Sequence, residues 1–414
     1  MAPILSALIL AVAALNSVVR ADPSSCPYQT TQAEACTIDP DNSNGFVCEI
    51  GTGGGHPQGS TFVVPANTYS LDIVIIGGTG GAQSDLEGSG YDSSGGPGAA
   101  VEVAGLKVVP GQTFNIYAGE NGDNIAYDYN SNTQTGTNGG TATGLGGGEC
   151  SPLQALGGNG ATIDPDTNQD TPVFGPGGGS ASVITVPSLA GQETVVVVAG
   201  GGGGAQLDAG AGGAGGPVGG SGQSGLGFNF GQIPTGGTQT AGGAGTNNDK
   251  SYVLSPIYGG ESATGPAGGN AGYSSSNGFG AGGAGGGYFG GGAGLSPNDK
   301  SGSPTSSSAG GSSYFNSAAF SGTARSSTSF NGPSITIRYV PQLPTGQPIS
   351  RQRRHADAIN RALARRGLEI RRAAISSLRS VRTIFSYLPE RAEVSRDSPH
   401  GALTGKVFRK NTNA

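Results

Sequence analysis

The 414-residue chain has no tryptophan, one methionine, three histidines and four cysteines, and only 12% of its residues are charged. Each shortage excludes something. With 34% apolar residues and no tryptophan, a conventional side-chain core cannot extend through the whole chain. Of the three histidines, His355 and His400 lie near the C-terminus, so a Ser-His-Asp triad would have to use His56. No Gly-x-Ser-x-Gly nucleophile elbow sits on a strand-to-helix turn, and nothing marks a glycosidase pair of carboxylates. No CxxC pair or histidine cluster offers zinc ligands. After residue 21 no stretch reaches the roughly 20 apolar residues of a membrane helix, and no Asn-x-Ser/Thr sequon occurs. The composition predicts a protein that is not an enzyme and takes no cofactor or metal.

The two ends of the chain carry signals of their own. Residues 3–19 are a short apolar run, and Val-Arg-Ala at 19–21 suits signal peptidase, although no basic residue precedes the run. Residues 1–21 therefore read as a signal peptide, Asp22 as the mature N-terminus, and the protein as secreted and extracellular. The cysteines, Cys26, Cys36, Cys48 and Cys150, form an even set, which in a secreted chain reads as two disulfides with three connectivities. The short local loop favours Cys26–Cys36 with Cys48–Cys150; the spacing leaves the other pairings open.

Charge divides the chain in two. Residues 1–350 hold 6 Lys+Arg against 22 Asp+Glu, a net −16, while residues 351–414 hold 15 against 5, a net +10. In the linker at 341–354, Arg351, Arg353 and Arg354 fit the Arg-x-Lys/Arg-Arg pattern cut by subtilisin-like secretory convertases, in a Pro-rich setting a protease can reach. Residues 356–388 then show a helical period, with a stripe running through Ile359, Leu363, Ile370, Leu378 and Leu388, arginines largely off it, and Pro389 as its stop. This predicts a basic amphipathic α-helix. It reads as a helix docked on the acidic domain or a solvated basic face, or else as a cationic helix for an anionic membrane or a removable propeptide. Export argues against nucleic acid as its partner.

Glycine is what the chain has most of: 81 residues, nearly all between 51 and 311. Between the glycine tracts, β-branched runs bounded by Pro, Gly or Asn predict strands at 46–50, 61–64, 71–76, 99–103, 113–118, 182–186, 194–199 and 334–340. The tracts themselves, such as "AGAGGAGGPVGG" and "GAGGAGGGYFGGGAG", place small residues about every third position. Collagen is excluded, because glycine does not recur strictly at every third residue and proline is scarce. Two readings remain, a flexible linker and a bundle of polyproline-II-like glycine segments packed backbone to backbone and clamped by the strands. The strand and turn at "LDIVIIGGTGG" (71–81) imitate a dinucleotide loop, but the helix such a loop needs is broken by Gly88, Gly90 and Pro97. "DPDTNQD" sets Asp164, Asp166, Asn168 and Asp170 at alternate positions, a spacing of calcium loops, without the acid at position twelve or the glycine at position six. A solvated Asx turn is the plainer reading there, and for the weaker echo "DPDNSNG" at 39–45.

The ordered series "STFVVPANTYSLDIVIIGGTGG", "GGPGAAVEVAGLKVVPGQTFNIYAGENG", "SLAGQETVVVVAGGGGGAQ", "GFGAGGAGGGYFGGGAG", "SAGGSSYF" and "PSITIRYV" spans about residues 60–340. It resembles the glycine-rich domain in the ectodomains of anaplastic lymphoma kinase and leukocyte tyrosine kinase, found also in many secreted proteins and phage adhesins. The resemblance implies an all-β fold: a jelly-roll-like β-sandwich carrying an inserted polyglycine-II helix bundle. Family receptors bind small protein ligands through this domain. No position matches a ligand-contacting charged residue, and no kinase motif is present. The expected organisation is a signal peptide at 1–21, a Cys-containing segment at 22–59, the glycine-rich domain at 60–340, the linker, and the basic tail at 355–414. The expected role is a secreted binding or adhesion module with an extracellular protein or surface ligand as partner and a possible anionic membrane contact through the tail. The alternatives are a structural wall or matrix protein, a receptor-ectodomain-like ligand-binding protein, and the precursor of a cationic membrane-active peptide.

Overall fold

Alternating apolar residues on β-branched strands build two sheets around one core. The computed structural model describes residues 36–51, 60–85, 92–128, 133–135, 153–163, 174–187, 193–206, 209–224, 233–246, 261–274, 280–295 and 305–342. Among these residues every regular element is a strand and none is a helix; the expected tail helix lies outside them. A six-stranded antiparallel sheet runs in the order β1 (Cys36–Asp39), β2 (Asn42–Gly51), β16 (Ser334–Tyr339), β4 (Ser70–Ile76), β6 (Gly98–Lys107) and β15 (Thr323–Ser329). A five-stranded antiparallel sheet runs β14 (Tyr314–Phe315), β12 (Glu193–Ala199), β11 (Ser182–Pro187), β7 (Thr113–Tyr117) and β3 (Ser60–Val63). Smaller pairings join β5 (Gln83–Asp85), β8 (Ile125–Asp128) and β9 (Thr133–Thr135), and β10 (Thr162–Ile163) with β13 (Tyr273–Ser274).

In β4, Leu71, Ile73 and Ile75 are buried while Asp72 is exposed. They meet Val101 and Val103 of β6, Ile335 and Ile337 of β16, and Phe114, Ile116, Ile184 and Val196 of the other sheet in a single cluster. The five-stranded sheet is covered on its other face too. There Tyr117, Val183 and Val198 pack with Ala155 and Ala181 of glycine-rich segments, which explains why "TVVVVA" lacks alternation.

Two sequence expectations need correction. Cys36 and Cys48 are disulfide-bonded to each other, so the favoured Cys26–Cys36 and Cys48–Cys150 pairing does not hold; Cys26 and Cys150 lie outside the described residues. The physical reason is local. Residues 36–39 form a strand, and the β1–β2 register sets Cys36 directly opposite Cys48, where cross-strand side chains are neighbours. The six-stranded sheet therefore includes residues 36–51, so the boundary expected at residue 60 does not separate two folding units.

One bulge interrupts the central ladder. Between the pairs Leu71↔Leu106 and Ile73↔Val103 the β6 strand holds one extra residue. Gly105 adopts φ +67° there, and its N–H donates to Asp72 Oδ1 at 2.8 Å. A Cβ at Gly105 would meet nothing within 4 Å, so glycine is required by backbone conformation alone. Gly105→Ala is expected to lower unfolding stability by about 1–2 kcal/mol, and Gly105→Asn by less, since Asn tolerates the left-handed region. Urea unfolding of the two variants checks this ranking.

The glycine tracts form an ordered lattice of main-chain hydrogen bonds. Along 201–205, Gly201 and Gly204 donate to Gly286 and Gly283 of one neighbour, Gly202 and Ala205 to Gly78 and Gly81 of a second, and Gly203 to Gly213 of a third. Along 175–181, Gly175, Gly178 and Ala181 donate to Ala161, Gly158 and Ala155, while Gly177 and Ser180 donate to Asp123 and Glu120. Along both segments every third residue addresses the same neighbour. Small side chains fill what space is left: Ala155, Ala161, Ala205, Ala281, Ala284 and Ala309 are all 0% exposed. Serines cross-link adjacent segments. Ser307 Oγ donates to Ala211 O at 2.7 Å and accepts from Gln223 N at 2.8 Å, and Ser182 Oγ likewise joins Ile76 O and Gly119 N.

Candidate functional site

The sheets have two ends of different character. β4 runs from the loop at Tyr69 into Gly77, β6 from Gly98 to the loop at Val108, and β7 from Gln112 into Gly119. One end of these strands thus opens into the glycine lattice and the other into loops at 64–69, 108–112 and 340–342.

The lattice end offers no anion cradle at residues 77–81. Gly77, Gly78, Gly80 and Gly81 donate to Ala99, Ser180, Gly96 and Gly177 carbonyls at 2.8–2.9 Å, and Thr79 N donates to Asn121 Oδ1 at 2.9 Å. Each N–H that a phosphate would need is already committed to the fold. A Cβ on Gly78 would fall 1.8 Å from Glu120 O, so these glycines serve the close approach of neighbouring backbones.

The other sequence-predicted sites are placed as follows. The acidic run at 39–45 forms two Asx turns, Asp41 N to Asp39 Oδ1 at 2.9 Å and Asn44 N to Asn42 Oδ1 at 3.2 Å. Arg338 Nε lies 3.8 Å from Asp39 Oδ2, so this carboxylate faces a guanidinium. His56, the Asp164–Asp170 loop, the tail histidines and the processing residues Arg351, Arg353 and Arg354 all lie outside the described residues. Among the described residues, no group of three or more His, Cys, Asp or Glu side chains converges as a metal site.

Two clusters decorate the five-stranded sheet. Glu193 accepts from Asn115 Nδ2 at 3.0 Å, from the Tyr117 hydroxyl at 3.1 and 3.2 Å, and from the Thr185 hydroxyl. A carboxylate ringed by three donors ties β7, β11 and β12 together, and the buried hydroxyls of Tyr117 and Thr185 find their acceptor in it. Nearby, Tyr288 stacks on Tyr314 with centroids 4.0 Å apart, and Phe289 meets Tyr288 edge-on at 5.3 Å. Burial raises the Tyr288 hydroxyl above the usual tyrosine range, and the charge and hydrogen bond of Tyr314 add to that rise.

The loop end is the surface with an unexplained apolar character. Val63 is 52% exposed, Tyr69 47%, Val109 67% and Val340 46%. Main-chain hydrogen bonds hold their loops to one another: Val64 N to Gln112 O, Gly111 N to Val64 O, Val108 N to Tyr69 O and Gln342 N to Asn67 O. Asn67, at φ 64°, and Gly111, at φ 83°, supply the left-handed corners. These exposed apolar side chains thus sit on or beside loops whose main chains are fixed to one another. Sequence reasoning missed this surface, because a valine in "FVVPANTY" reads equally as core. The one usable signal was Val109 beside the Pro110–Gly111 turn, where the chain is forced to the surface.

No known protein family matches the chain. No curated protein matches it significantly either.

Proposed function

We propose that the chain is a secreted, non-enzymatic binding module. In this reading a jelly-roll-like β-sandwich clamps a bundle of polyglycine-II helices and presents its loop end to an extracellular protein or surface ligand. The core shared by two antiparallel sheets supports the sandwich. The three-residue hydrogen-bond period supports the polyglycine-II helices. The Cys36–Cys48 bridge and the N-terminal apolar run support export. The ordered strand and glycine series supports kinship with the glycine-rich ectodomain family.

The observation that carries the functional reading is the set of exposed apolar residues Val63, at the end of β3, and Tyr69 and Val109, on the cross-tied loops beside it. The fluorescently labelled full chain, applied to the intact surface of the cells that secrete it, is expected to bind saturably. A Val63→Asp/Tyr69→Ser/Val109→Asp chain should bind at least tenfold more weakly with unchanged melting, because all three side chains are exposed, Tyr69 the least at 47%. Both chains keep the basic tail, whose contribution salt weakens, so the comparison is made at high salt. Retention linear in concentration, or equal for the two chains, removes the reading.

A further inference from the structure

Among the described residues β15 is a free sheet edge, without the devices that usually protect one. The other edge strands of the two main sheets are short: four residues in β1, four in β3 and two in β14, against seven in β15. β15 pairs with β6 without a register shift from Thr323↔Ala104 to Ser329↔Gly98. Its sequence, TARSSTS, has no proline or lysine and a single charge, Arg325, and most of it is exposed.

The ladder fixes which main-chain groups point outward. Gly77 N–H donates to Ala99 O in register with the β4–β6 pairing. Along β6, Val101 and Val103 therefore turn their main-chain groups toward β4, while Ala100, Glu102 and Ala104 turn theirs toward β15. Their partners Ser327, Arg325 and Thr323 bond inward. Ala324, Ser326 and Thr328 direct N–H and C=O away from the sheet, and no hydrogen bond meets these groups among the described residues. Two side-chain observations fall on the same strand. Ser326 Oγ is buried and has no hydrogen-bond partner, and Phe330, at the strand's end, is 71% exposed.

We propose that β15 pairs antiparallel with β15 of a second copy of this chain, about a two-fold axis through Ser326. Ser326 then faces its own counterpart, Ala324 faces Thr328 and Arg325 faces Ser327. All three outward residues of each chain enter the ladder, and the two orphan serine hydroxyls become cross-strand neighbours. The neighbouring registers are worse. Centring on Arg325 sets two like charges directly opposite, and centring on Ser327 leaves Ala324 opposite Phe330, beyond the strand. The contact is isologous and closes on itself, so it consumes the free edge instead of extending a filament.

Sedimentation velocity on the full chain across a concentration series tests this. The wild type is expected to pass from monomer to dimer. Ser326→Pro removes only an outward N–H, so it should weaken dimerisation at least tenfold while leaving the melting temperature unchanged. Under mild oxidation, Ser326→Cys should give a reducible covalent dimer and Ala324→Cys should not, since the two-fold axis separates its two copies. A wild type that stays monomeric at every concentration overturns the proposal. So does a dimer indifferent to Ser326→Pro, or an oxidised Ser326→Cys chain that remains monomeric. If Ser326→Pro fails to fold, the cross-linking pair decides.

Discussion

Gly283→Ala is expected to destabilise the fold by about 3 kcal/mol or more, well above the usual range for a single added methyl. A Cβ at Gly283 would lie 1.9 Å from Gly158 O and 2.4 Å from the same carbonyl carbon. Both obstacles are backbone, so no side chain can rotate aside; two segments must separate, and the bonds Gly178 N–Gly158 O and Gly283 N–Pro176 O stretch with them. Gly212→Ala meets Gly203 O at 1.9 Å and should behave alike. Valine at either position should be worse. Gly265 is the control, with nothing within 4 Å of its Cβ position. Gly265→Ala should be neutral or gain a few tenths of a kcal/mol, roughly, by restricting the unfolded chain. Thermal unfolding of the three alanine variants separates the lattice from a flexible linker, which would accept all of them; equal melting temperatures would refute the lattice.

Loss of the Cys36–Cys48 bridge is the second large effect. The bridge closes a loop with a sequence separation of 12, for which the chain-entropy account gives about 3 kcal/mol. Among the described residues β1 pairs with β2 alone, so the hairpin ladder and the Asp39–Arg338 pair are prominent among its other ties. A Cys36→Ser/Cys48→Ala chain should unfold at lower denaturant, with exchange protection of β1 lost first. Cys48 is 0% exposed, so reductant should act slowly on the native protein and quickly once it is unfolded. Non-reduced peptide mapping should recover one peptide pair joining Cys36 to Cys48. A pair joining Cys36 to Cys26 would restore the sequence-based expectation.

How far the fold could be read from sequence follows side-chain chemistry. All eight apolar runs marked as strands are strands, from β2 at "GFVCEI" to β16 at "SITIRY", because alternation and β-branching mark a half-buried surface. β15 was illegible for the opposite reason. Its serines and threonines carry no alternation, and it forms because β6 offers an edge. β1 was too short to announce itself, and with it went the cysteine pairing, since only the register places Cys36 against Cys48. The period of small residues in the glycine tracts raised the possibility of packed segments, but not which segment bonds which. That depends on backbone donors, which are the same at every glycine. The loop-end surface was legible only at Val109, where the Pro-Gly turn forces exposure.

The lattice also has a consequence for how the protein is made. Its bonds join Gly202 to Gly78, Gly283 to Pro176 and Gly310 to Gly220, so each segment waits for partners that lie far along the chain. Loop closure over such distances must precede any reward from the bonds, which makes assembly slow. At a synthesis rate of roughly 5–20 residues per second, the N-terminal glycine segments exist for many seconds before residues 305–313 arrive to complete their shells. Through that interval the nascent chain holds bare glycine backbone with its donors and acceptors open to water. The order of events during synthesis is then set by the last serine-glycine segment, and the lattice closes only after translation has passed it.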